Sequence, residues 1–236
     1  MRNRHLSVLM LYVRGAMAPL IGIIGLMAAV QTGAFLWSMQ AAAEPLEAVV
    51  KSAHWKLIFC AGILLLAVML LRSTSGGGYT VRRLRVSERA AFLWHSLACL
   101  GCIVLLWMSE VLILTLLCRY FVSVTGSSNQ ALFLAFYRSD FLHSILPLEE
   151  ISRWIYLLTA LLALSFCIAN AVVRMRYGHR ERLLLALLIL LIGFFQRPLG
   201  SYASDVFLTL SHLCFIAYAI WAVWYHAEEV PSDDTN

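Results

Sequence analysis

Side chains able to do chemistry are sparse in this 236-residue chain, and Glu110 is the most conspicuous of them. It stands in Leu106-Trp107-Met108-Ser109-Glu110-Val111-Leu112, an otherwise apolar run. A carboxyl in hydrocarbon is costly, so such groups face a bundle interior or a wet cavity and are candidates for transport or coupling. The competing reading is an interfacial group that reaches headgroups or pairs with Arg119 or Arg153.

The other reactive types carry weaker patterns. Cysteines at 60, 99, 102, 118, 167 and 214 lie in or beside apolar runs and read as small apolar filler. Cys99-Leu100-Gly101-Cys102 matches C-x-x-C, but no second pair accompanies it to complete a metal set. The seven histidines are scattered without metal spacing, so neither metal nor cofactor is expected. There is no nucleophile elbow, dinucleotide fingerprint or phosphate loop; the chain is not expected to be an enzyme or to hydrolyse ATP by itself. Gly76-Gly77-Gly78 is followed by no Gly-Lys-Ser/Thr and reads as a flexible joint.

Charge is concentrated just after that joint. Tyr79-Thr80-Val81-Arg82-Arg83-Leu84-Arg85-Val86-Ser87-Glu88-Arg89-Ala90-Ala91-Phe92 predicts an amphipathic helix over 79–92. Val81, Leu84, Ala91 and Phe92 share an apolar face, while Arg82, Arg83, Arg85 and Arg89 point to headgroups, water or a partner.

The elements that must position these groups follow from composition. Hydrophobic residues make up 61% of the chain and charged residues 13%, against roughly 45–50% and 25% in soluble domains. A soluble fold could not hide that much apolar surface. The expected fold is all-α, a single polytopic membrane bundle covering 1–236, built from stretches near the ~20 residues that cross a ~30 Å hydrocarbon core. Six are found, at about 16–39, 53–71, 90–118, 151–173, 183–195 and 202–225. The fifth has only 13 residues, so a short span competes there with a re-entrant segment. It ends at a turn signal, Gln196-Arg197-Pro198-Leu199-Gly200.

Arginine placement orients the bundle. With both termini in the cytoplasm, twelve Lys and Arg fall on the inner face and six on the outer, as the positive-inside rule requires. The net charge of +5 is thereby accounted for by orientation and attraction to anionic lipid. Nucleic acid is not an expected partner. Ala41-Ala42-Ala43 superficially fits a signal cleavage site, but the preceding apolar run exceeds a signal core and reads as an uncleaved first span.

Between spans three and four, 129–146 carries Phe133, Phe136, Tyr137, Phe141, Ile145 and Leu146 at helical spacing, predicting an outer interfacial helix. Trp37, Trp55, Trp154, Trp221 and Trp224 lie near span ends, as aromatic belts do. Gly22 and Gly25 with Ala18 and Ala29 would let another helix approach the first span, either within the bundle or from a second subunit. The acidic tail 228–234 reads as a solvated terminus.

On the basic segment 79–89 and the short fifth span followed by a polar break, the chain resembles the membrane subunits of type-2 ATP-binding-cassette export permeases. Arg85 stands where that family commonly has proline. The resemblance implies six spans, a permease that pairs with itself or with a second permease subunit, and separate ATPase subunits docking on Arg82, Arg83, Arg85, Glu88 and Arg89. The expected function is movement of a hydrophobic or amphipathic substrate out across the cell membrane. A non-transporting membrane scaffold or regulatory subunit is the alternative, with a membrane-embedded enzyme third.

Overall fold

A computed structural model describes residues 4–41, 46–75, 86–126, 129–147, 150–177, 182–195 and 202–226, and all the regular structure among them is helical. In chain order these are α1 (Arg4–Ala41), α2 (Leu46–Ser52), α3 (Trp55–Ser75), α4 (Glu88–Thr125), α5 (Asn129–Arg138), α6 (Asp140–Ile145), α7 (Ile151–Arg176), α8 (Leu183–Phe195) and α9 (Tyr202–His226). Five are long and apolar enough to cross a bilayer, within Leu6–Gln40, Trp55–Arg72, Glu88–Thr125, Ile151–Arg176 and Tyr202–Tyr225. The protein is a multi-pass membrane helical bundle.

Lengths decide how each span sits. α1 and α4 have 38 residues each, about 57 Å of helix against a ~30 Å core, so both must tilt or project into water. α4 therefore runs well past the expected 90–118. α8 keeps the 13 residues foreseen and covers only about 20 Å.

α7 is the central strut. Within its apolar stretch 61% of residues are buried, against 22–39% in the other four long helices. The reason is local: Ala160, Ala163, Ser165, Cys167, Ala169, Asn170 and Ala171 are all buried and small or short. Helices in lipid associate through close packing rather than a hydrophobic drive, and small side chains allow that approach. α9 and α4 lie against α7, with α3 and α8 also touching it; α1 packs on α3 and α4.

Several connections differ from expectation. α2, in the link between α1 and α3, was not foreseen; it buries Leu46, Val49 and Val50 in the core. The 129–146 segment is two helices, because Ser139 adopts an extended backbone (φ −78°, ψ 116°) between them. Its apolar face is consequently divided. Phe136, Phe141 and Ile145 are buried, while Phe133 and Tyr137 are exposed. Trp55 is also no belt residue: it is 1% exposed and packs on Phe35 with ring centroids 5.4 Å apart.

Contacts fix which helix ends share a side. Tyr12 near the start of α1 stacks on His95 near the start of α4 at 4.5 Å. Phe92 of α4 meets Phe166 of α7 at 5.8 Å and Trp224, near the end of α9, at 6.5 Å. The start of α1, the start of α4 and the ends of α7 and α9 thus converge at one end of the bundle. Arg89, Arg174 and Arg176 belong to those helix ends, which makes this the basic end.

Candidate functional site

Two places bring the singled-out residues into contact. At the basic end, Ser87 caps α4 by accepting from the Ala90 N–H at 3.4 Å. The next residue, Glu88, accepts hydrogen bonds from the Tyr177 hydroxyl at 2.6 and 2.5 Å, tying α4 to the residue that ends α7. Arg89 lies over the Trp224 ring, its guanidinium carbon 5.5 Å from the centroid, a cation–π contact that adds α9. Below them Phe92 is 1% exposed, wedged between α7 and α9. Arg174 Nη1 donates to the Tyr218 hydroxyl at 3.3 Å and joins α7 to α9 a second time.

The first five residues of α4, Glu88 to Phe92, are therefore a joint between three helices. Of the proposed docking set, Glu88 and Arg89 belong to this joint. Arg82, Arg83 and Arg85 lie outside the described residues, as does the 79–85 half of the 79–92 segment. Description resumes at Val86, and the helix begins at Glu88 rather than at 79.

The second place is inside the bundle. Glu110 is 0% exposed, and its partner is neither Arg119 nor Arg153 but Gln31 of α1, also 0% exposed. Gln31 Nε2 donates to Glu110 Oε1 at 2.6 Å. Gln31 Oε1 and Glu110 Oε2 have no hydrogen-bond partner among the described residues. The sequence reading missed Gln31. Its signal was positional: the buried residues of α1 run Leu20, Ile23, Met27, Gln31, Phe35, a core-facing stripe on which Gln31 replaces an apolar side chain.

Arg153 is engaged at the opposite end of the bundle. Its Nε lies 2.7 Å from Glu150 Oε2 and 3.9 Å from Asp205 Oδ2, while Ser152 donates to that same Asp205 oxygen at 3.3 Å. Asp205 and the buried His212, which sits against Tyr156 at 5.3 Å, were likewise not singled out from sequence. They make the α7–α9 contact polar along much of its length.

No cysteine is disulfide-bonded, and all but Cys214 are buried. Cys99 Sγ sits 3.5 Å from His95 Nε2, one helical turn apart on α4, and Cys102 is buried beside them. No group of three or more His, Cys, Asp or Glu among the described residues is arranged to hold a metal ion. A small apolar cavity of about 70 Å³ lies where α3, α4, α6, α7 and α8 meet, walled by residues such as Phe59, Ile103, Trp107, Leu161 and Leu188.

No family model matches the chain, and no curated protein or solved structure matches it either.

Proposed function

We propose that the chain is the membrane-spanning permease subunit of an ATP-driven exporter, acting with a separate ATPase and a second permease subunit. The observation that carries this reading is the joint at the start of α4. A partner gripping the basic segment before Ser87 would pull on a helix start that Glu88 fastens to Tyr177 and Arg89 fastens to Trp224. Motion of that segment would be delivered at once to α7, the central strut, and to α9. Such an arrangement converts docking of one segment into displacement of two spans, which is how a nucleotide-driven partner would act on a bundle.

Two further features support it. The basic end faces the cytoplasm in this reading, where both a polybasic segment and a soluble ATPase belong. On α1, Ala18, Gly22, Gly25, Ala29 and Gly33 form an exposed stripe, so this face is turned away from the bundle and is open to a second subunit. The proposed cargo is hydrophobic or amphipathic, in keeping with the apolar walls of the bundle.

Replacing Arg82, Arg83 and Arg85 together with Glu tests the proposal. The expected result is normal membrane insertion with loss of co-purifying ATPase and of ATP-dependent export. Full retention of the ATPase by the triple variant would overturn it.

A further inference from the structure

Glu110 is the one buried glutamate among the described residues, and nothing in the transport reading uses it. Its carboxyl is tied to Gln31 by a single hydrogen bond, from Nε2 to Oε1 at 2.6 Å. Each group has one atom left over. Gln31 Oε1 and Glu110 Oε2 are both buried, and neither has a hydrogen-bond partner among the described residues. With the carboxyl ionised both atoms are acceptors, so neither can serve the other. The pair is short of one donor.

Nothing around it supplies a positive charge. The helices of the bundle bring Tyr12 of α1, Cys60 of α3, His143 of α6, Arg153 of α7, and Asp205 and His212 of α9 into the interior. None of them makes a hydrogen bond or ion pair with Glu110. An ionised carboxylate with one donor in such surroundings keeps most of its desolvation penalty, and groups so placed take up a proton instead. One proton on Oε2 removes the charge and also turns that oxygen into a donor for Gln31 Oε1. Each of these two oxygens shares a carbon with one end of the existing bond, so the planar groups can pair along both edges, as a carboxylic acid and a primary amide do. A metal cation fits less well. Hard cations take about six oxygens, whereas the pair offers two, and no group of three or more His, Cys, Asp or Glu among the described residues could complete a set.

We infer that Gln31 and Glu110 form a proton-binding site, in which Glu110 holds one proton at neutral pH and shares it with the Gln31 carbonyl, closing α1 on α4. Release of the proton breaks the second hydrogen bond and leaves a charge facing an amide oxygen, so occupancy of the site sets how firmly α1 is held. The inference stands apart from the transport reading, since it needs neither an ATPase nor a substrate.

Infrared spectroscopy of the full chain in lipid bilayers at pH 7 reads the proton directly. The carbonyl band of a protonated carboxylic acid is expected, displaced by carbon-13 labelling of glutamate carboxyls and not by that of aspartate carboxyls, an arm that requires no variant. Glu110→Gln, whose amide supplies the same donor and acceptor permanently, should lose the band. Gln31→Leu should keep it but move it to higher wavenumber, because the acid loses its hydrogen-bond partner. Thermal unfolding gives an independent reading. Unfolding exposes a glutamate that ionises near pH 4.3, at about its ordinary value. Above that pH the folded chain holds a proton that the unfolded chain has released, so stability falls as the pH rises. The Tm of the unaltered protein should therefore drop relative to that of Glu110→Gln as the pH is raised. A sodium ion or a bridging water in place of the proton leaves the carboxylate ionised, so absence of a glutamate acid band at pH 7 would overturn the inference. A band that survives Glu110→Gln, or a Tm difference independent of pH, would do the same.

Discussion

Gln31 and Glu110, 79 positions apart, meet in the interior of the bundle with the amide nitrogen donating to the carboxyl oxygen across 2.6 Å. This bond joins α1 to α4 at a depth where water cannot replace either partner.

Removing one side of the pair should therefore cost more than removing both. Gln31→Leu and Glu110→Leu each leave a buried polar group unsatisfied, a penalty of about 1–3 kcal/mol. For a protein of this length that corresponds to a fall in Tm of roughly 2–4 °C per kcal/mol. The double variant, apolar on both sides, is expected to recover most of the loss, and Glu110→Gln to lose least because it retains an acceptor. Thermal unfolding in detergent, followed by tryptophan fluorescence, reads the difference. Simple additivity of the two Leu variants would show that the bond is not the reason for the pair.

The spans were legible because the bilayer imposes a blunt rule, about 20 apolar residues per crossing, that composition alone reveals. The common end of α1, α4, α7 and α9 was legible for a similar reason, since arginines cluster there in sequence. Pairing between elements was not. Gln31 is uncharged and disturbs the hydropathy of its span little, and only tertiary contact selects it as the partner of Glu110. The central place of α7 depends on its run of small residues, which mean hydropathy does not weigh. The break at Ser139 escaped notice because Phe133, Tyr137, Phe141 and Ile145 keep helical spacing across it. At the joint, Phe92 is expected from sequence on the apolar face of an amphipathic helix and Arg89 on its opposite face, with Glu88 in the docking set, whereas Tyr177 and Trp224 turn the first two turns of α4 into a contact among helices.

The exposed stripe on α1 predicts where a second subunit would be lost. A Cβ added at Gly22, Gly25 or Gly33 meets nothing within 4 Å, so a larger side chain there cannot disturb the isolated bundle. Gly22→Leu with Gly25→Leu should leave Tm unchanged or slightly raised, since both replacements favour helix. The same double variant should abolish dimers detected by cross-linking in membranes. Undiminished cross-linking would place the subunit contact elsewhere.

Gly62 presents the reverse case. A Cβ built there would lie 2.2 Å from Met27 Sδ and 3.2 Å from its Cγ, so α3 and α1 approach through a position only glycine fits without rearrangement. Met27 is itself buried. Helix propensity favours Ala over Gly by about 1 kcal/mol, but overpacking of a filled core costs about 1–3 kcal/mol. Gly62→Ala is expected to be mildly destabilising and Gly62→Val more so. Met27→Ala, which removes the clashing atoms, should restore part of the loss in a double variant measured by the same thermal unfolding.

Arg153 distinguishes distance from burial, because its nearer partner is the wetter one. Glu150 approaches to 2.7 Å, but its side chain is 49% exposed. Asp205 stands 3.9 Å away with a side chain only 10% exposed. Coulomb energy falls as the product of dielectric and distance, so a dielectric of about 80 at Glu150 against about 20 at Asp205 outweighs the shorter separation by roughly threefold. Asp205 also accepts from Ser152, so its loss strands a second polar group. Asp205→Ala is accordingly expected to destabilise the α7–α9 contact by about 1–3 kcal/mol, and Glu150→Ala by no more than the 0–1 kcal/mol of a surface pair. Added salt should narrow the effect of Glu150→Ala and leave that of Asp205→Ala nearly intact, since screening acts on exposed charges. Thermal unfolding of both variants at low and high salt decides the order, and a larger loss from Glu150→Ala would mean that proximity governs this cluster.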